Sequence, residues 1–157
     1  MKTALSDIVI TIDLAHELRA AGVNQPALFG YFLDGQGNHH VYAQDENQSG
    51  LPAYTSNELL DLLPAMLEVN SEAYKANRNG WENIQIEDGD YSYAHLHTVK
   101  TGGDYISCYY FESVQIAFSK DDEGKYNNLL ISGDTPQESQ GKLLLKLVEE
   151  GKHLEVV

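Results

Sequence analysis

The residues best equipped for chemistry sit in one stretch, "YAHLHTVKTGGDYISCYY", residues 93–110. It holds His95 and His97, a glycine pair, Gly102-Gly103, and Cys108, the chain's one cysteine. A Gly-Gly pair readily supplies the positive φ of a two-residue hairpin turn. With that turn, His97 faces Cys108, His95 faces Tyr110 and Tyr93 faces Glu112. Side chains alternate along a strand, so His95, His97, Cys108 and Glu112 share one face. Imidazole, thiolate and carboxylate are the donors that tetrahedral zinc takes, which makes these four the candidate metal ligands.

Three features favour ordinary packing instead. The face depends on register, and a slip of one residue disperses it. The same face carries Tyr91, Val99, Ile106 and Val114, the composition of a core face. The spacing matches no recognised zinc motif. A Cys/His nucleophilic pair needs a low-pKa thiolate in electropositive surroundings, whereas an acidic, Tyr-rich setting raises a thiol's pKa. The expectation is therefore a sheet, with no catalytic residue, no cofactor and no metal site.

The remaining candidates read as structural. His39 and His40 are adjacent on a strand, so their rings point to opposite faces. His16 lies on the outer side of a helix and His153 in the C-terminal tail. Glu58 and Asp61 form a carboxylate pair on a solvent-facing helix surface. Asp121, Asp122 and Glu123 crowd a turn without the alternating pattern of a calcium loop. No phosphate-binding glycine loop or nucleophile elbow is present.

The elements that position these residues announce themselves by caps. In "TIDLAHELRAAG", Thr11 caps, Asp13 suits the positive helix end and Gly22 offers a left-handed stop. Leu14, Ala15, Leu18 and Ala21 form its apolar stripe. In "TSNELLDLLP", Thr55 and Glu58 have capping-box spacing, Leu59, Leu62, Leu63 and Met66 form a stripe, and Pro64 ends the helix near Leu63. In "DTPQESQGKLLLKLVEEG", Thr135 caps, Pro136 takes the first helical position and Glu138 completes a box. Leu144, Leu147 and Val148 face the core. Gly141 lies on that side, where a second backbone would pack. Glu138, Lys142, Lys146 and Glu150 run down the outer face, and Gly151 ends the helix.

Hairpins fill the intervals. One turns at Asp34–Asn38, one at Gly102-Gly103 and one at Asp121–Gly124. Residues 65–79 read equally as strand or loose helix. The order is helix, hairpin, helix, meander, helix, which gives a single α+β domain over residues 1–157 with an antiparallel sheet packed on about three helices.

Composition limits the partners. The chain has 157 residues, 42% of them apolar, enough for one core. Its formal net charge is −14, and no Lys or Arg lies between Arg19 and Lys75. Neutralising phosphates to useful affinity takes roughly six to ten contacts. The chain has ten Lys and Arg in all, and pairs such as Lys120 with Lys125 and Lys142 with Lys146 have acids beside them. Direct binding to nucleic acid or anionic membrane is disfavoured, and a basic protein surface is the expected partner. Asp7 and Asp13 interrupt what would be a signal peptide's apolar core, and one cysteine excludes an internal disulfide, so a cytoplasmic setting is expected. The oligomeric state is left open.

Three segments carry a resemblance: "VITIDLAHELRAAGVNQPALFGYF", "LPAYTSNELLDLLP" and "DTPQESQGKLLLKLVEEGKHL". In this order they resemble small uncharacterised proteins of Bacteroidetes phages, prophages and mobile elements. The resemblance implies an α+β domain of phage or mobile-element origin and brings no activity and no site residues. The stretch from Ser71 to Leu130 is longer and more Tyr-rich than that family's short hairpin. Three functions are weighed. The first is a non-enzymatic binding protein that blocks a basic surface, as an anti-defence or immunity-type inhibitor does. The second is a virion or assembly component. The third is a small enzyme using His95, His97 and Cys108.

Overall fold

The computed structural model describes residues 4–45, 50–69, 92–111, 114–115, 117–120, 126–128 and 131–149. Among the described residues the chain is α+β, with antiparallel pairing throughout. The helices are α1 (Ile12–Ala20), α2 (Ser56–Leu62) and α3 (Pro136–Glu149). A three-stranded sheet has the order β2-β1-β3, with β1 at Phe29–Leu33, β2 at His39–Ala43 and β3 at Leu51–Pro52. A larger sheet contains β4 (Met66–Val69), β5 (Ser92–Thr101), β6 (Asp104–Phe111), β7 (Val114–Gln115) and β10 (Ile131–Gly133). Its order is β10-β6-β5-β4, with β7 also on β6. β8 (Ala117–Lys120) pairs with β9 (Tyr126–Asn128) across a register shift.

Local chemistry sets the helix ends. Thr11 is extended and its hydroxyl accepts from the Leu14 amide at 3.5 Å. Past the end of α1, Gly22 takes φ +97°. The Val23 amide then reaches the Leu18 carbonyl at 2.9 Å and the Gly22 amide reaches Arg19 at 3.1 Å, the paired bonds of a Schellman stop. Thr55 and Glu58 form the expected capping box on α2. Leu63, ahead of Pro64, is already extended, as proline's ring demands of its predecessor.

The helices bury one shared face. Leu14 and Leu18 of α1, Leu59 and Leu63 at α2, and Leu143, Leu144 and Leu147 of α3 join Tyr54 and Tyr109 in one core. Burying each such leucine fully is worth about 1.5–3 kcal/mol. Leu62 and Val148 pack half-buried against this core, and Ala21 is half-buried just past the end of α1. Met66 differs from expectation: it has left the helix for β4, where it is 51% exposed. Residues 66–69 are thus strand, and the later part of that ambiguous segment lies outside the described residues.

Gly141 packs against side chains rather than a second backbone. A Cβ there would stand 2.8 Å from Leu14 Cδ2 and 3.2 Å from Ile10 Cγ2. The close backbone approach occurs at Gly133, where a Cβ would stand 2.6 Å from the Ser139 nitrogen of α3. The short strand β3 had no alternating signal. It pairs Pro52 with Gly30 at the sheet edge, a position that tolerates a residue without an N–H.

Tyrosines tie the loops to this core. Tyr31, Tyr54 and Tyr109 donate their hydroxyls to the carbonyls of Ile10, Gln25 and Pro64 at 2.6, 2.7 and 2.6 Å. Burial raises all three phenol pKa values, that of Tyr54 to about 12, with the Glu58 charge adding to its shift.

Candidate functional site

The hairpin register is the expected one: His97 faces Cys108, His95 faces Tyr110, and Gly102, at φ +59°, begins the turn. The face assignment is corrected. His95, His97 and Val99 are exposed, whereas Leu96 and Thr98 between them turn inward with the buried Ser107 and Tyr109. The reason is the helix above: Tyr109 joins the α3 leucines in the core, and Ser107 bonds to α3 directly. Cys108 is buried on the central strand β6. Among the described residues no three His, Cys, Asp or Glu side chains form a group able to hold a metal ion. Glu112, Asp121, Asp122, Glu123 and His153 lie outside the described residues.

The other histidines separate as their positions dictate. His16 is exposed. His39 and His40 face Leu33 and Phe32 across β1. His40 Nε2 lies 2.7 Å from Asp34 Oδ2. Asp34 Oδ1 also accepts the amides of Gln36 and Asn38 at 2.8 and 2.9 Å, closing the turn. These bonds, His40's first, hold the Asp34 carboxyl well below the usual carboxylate range.

Two glutamates do more than cap their own helices. Glu58 accepts from the Thr55 amide and hydroxyl through Oε2, each at 2.9 Å, and from the Leu28 amide through Oε1 at 2.6 Å. It is half-buried rather than part of a solvent-facing pair; Asp61 alone is exposed. Glu138 completes only half of its expected box. Its amide donates to Thr135 Oγ1 at 3.2 Å, but its carboxylate accepts the Thr11 amide at 2.6 Å, joining the starts of α3 and α1.

A chain of buried polar groups runs between the starts of α2 and α3. Ser56 Oγ donates to Gln140 Oε1 at 2.7 Å, and Gln140 Nε2 donates to Thr98 Oγ1 at 3.2 Å. Thr98 and Ser107 hydroxyls lie 2.9 Å apart, and Ser107 and Ser139 hydroxyls 2.7 Å apart. Ser139 Oγ donates to the Pro136 carbonyl at 3.0 Å. Each hydroxyl has one proton. Ser139 spends its own on Pro136, so Ser107 donates to Ser139 and Thr98 donates to Ser107. All five bonds therefore point one way. Ser107, Ser139 and Gln140 are at most 2% exposed, and this satisfied chain fixes both helix starts on the sheet.

Those helix starts form two walls of a cleft of about 890 Å³. The tip of the β5–β6 hairpin, with Lys100 and Tyr105, makes a third, and Ile8 and Leu28 contribute apolar surface. Four carboxylates line it, Asp7, Glu58, Asp61 and Asp134, against the single ammonium of Lys100. The Lys100 Nζ stands 5.7 Å from the Tyr105 ring centre. Helix starts favour anions, but here Thr55 and Thr135 already take the Glu58 and Glu138 amides. The carboxylates then set the sign, and the cleft attracts cations.

Capping spacing marked Thr55, Glu58 and Thr135 in the sequence. Nothing there marked Asp7, Leu28, Lys100 or Asp134 as neighbours, because they come from four separate segments. Among the described residues no helix is long and apolar enough to cross a membrane. No family model, curated protein or solved structure matches the chain.

Proposed function

We propose that the chain is a non-enzymatic, cytoplasmic binding protein that engages a basic surface of another protein, in the manner of an inhibitor carried by a phage or mobile element. The observation that carries this reading is the cleft between the starts of α2 and α3, where four carboxylates stand against one ammonium. It concentrates the negative charge of a chain whose formal net charge is −14. Charge of this kind steers a cationic partner into contact and repels phosphate. Of the groups weighed for catalysis, His95 and His97 are exposed on β5, and Cys108, opposite His97, is buried on β6.

The test is affinity capture from lysate over a salt series, run beside mobility shifts of duplex DNA and RNA. The captured proteins should be basic and should elute as salt rises, because screening weakens exposed charge contacts. Salt-sensitive nucleic-acid shifts at micromolar protein, or acidic partners that survive high salt, would overturn the reading.

A further inference from the structure

We infer that the cleft between α2, α3 and the β5–β6 tip receives a basic protein segment in which a Lys or Arg side chain is flanked by a bulky aliphatic one. This rests on the binding function proposed above and locates it.

The charge is available. Asp61 and Asp134 are exposed, and neither makes an ion pair or hydrogen bond among the described residues. Glu58 is committed to Thr55 and Leu28, so it contributes field rather than a contact point. The apolar surface is available too. Leu28 is 65% and Ile8 39% exposed at the same cleft. A cation alone would leave both against water, whereas a segment carrying an aliphatic side chain would cover them.

A third observation points to a donor. Gln137 lines the cleft and is only 5% exposed. Its amide nitrogen donates to the carbonyls of Asp7 and Val9 at 2.9 and 3.5 Å, which fixes the orientation of the amide. Its Oε1 accepts no hydrogen bond among the described residues. An amide oxygen left open in this way can take a donor from an occupant of the cleft. A guanidinium or ammonium N–H in the cleft would satisfy it while neutralising Asp61 and Asp134. The occupant therefore combines positive charge, several donors and an apolar neighbour, which a basic peptide segment supplies.

The experiment measures fluorescence anisotropy of short labelled peptides of equal positive charge at low salt. One set combines arginine with leucine and the other combines arginine with glycine. The variants are Asp61→Asn with Asp134→Asn, Leu28→Asn, and a charge control outside the cleft, Asp13→Asn with Glu17→Gln on α1. All these positions are exposed, and thermal melts check that folding is retained. The arginine-leucine set should bind tighter. The cleft pair should weaken it about fivefold, as two rim charges allow, and the α1 pair less than about twofold. Leu28→Asn should erase the advantage of leucine over glycine. If the α1 pair weakens binding as much as the cleft pair, or leucine gives no advantage, the cleft assignment is wrong while the acidic binding function stands. If neither peptide set binds at low salt, both are wrong.

Discussion

Removing the Ser107 hydroxyl should destabilise the protein through a chain of bonds rather than a single one. Ser107 is fully buried, and its oxygen lies 2.9 Å from Thr98 Oγ1 and 2.7 Å from Ser139 Oγ. In Ser107→Ala, the Thr98 proton loses its acceptor and Ser139 loses a donor, although Ser139 keeps its own bond to Pro136. Little volume is lost, so the unsatisfied groups dominate, at about 1–3 kcal/mol. In Thr98→Val, the Gln140 amide and Ser107 lose their partners at similar cost. The double variant breaks the shared bond only once. Its cost should fall short of the sum of the singles by about 0.5–3 kcal/mol. Urea unfolding followed by circular dichroism measures all three. For a chain of this length, a 2 kcal/mol loss also lowers Tm by about 4–8 °C. Costs that add to within about 0.3–0.5 kcal/mol would show that Thr98 and Ser107 act independently, and the one-way chain would be refuted.

Gly133→Ala should cost about 1–3 kcal/mol, because the new Cβ meets the α3 backbone at 2.6 Å. Gly103→Ala, with nothing within 4 Å, should be close to neutral in the same unfolding assay. The raised Tyr54 pKa predicts alkaline sensitivity. An acid whose folded pKa lies above its unfolded value stabilises the fold below the unfolded pKa and loses that contribution as pH rises. The window here runs from 10 to about 12, at no more than about 1.4 kcal/mol per pH unit. Tyr54→Phe should flatten the fall in unfolding free energy across that window, and an unchanged slope would exclude the phenol as a contributor. Asp34 has the opposite sign: its lowered pKa supports the turn above its ordinary value of 3.8, and that support is lost as pH falls below it. The Gln36 and Asn38 amide shifts should therefore hold through about pH 4 and move only at lower pH; midpoints in the ordinary range would rule out the carboxylate contacts.

What the sequence determined by itself was local. Thr11 with Gly22, Thr55 with Glu58, and Pro64 set helix ends because their partners lie within a few residues. Gly102-Gly103 set the pairing of His97 with Cys108 because a two-residue turn leaves one register. Which face of that hairpin turns inward was a tertiary decision. The face with His95, His97, Val99 and Ile106 reads as a core face, yet the one with Leu96, Thr98, Ser107 and Tyr109 packs under α3. The choice falls to α3, whose Ser139 and Gln140 satisfy Ser107 and Thr98 and whose leucines cover Tyr109. The cleft has the same origin. Glu138 finds Thr11 across 127 residues and Gln140 finds Ser56 across 84, and only folding brings such partners within bonding distance. Capping propensity records that a helix begins at Thr135, whereas the place where that start is held depends on hydrogen bonds and packing that no short window of residues contains.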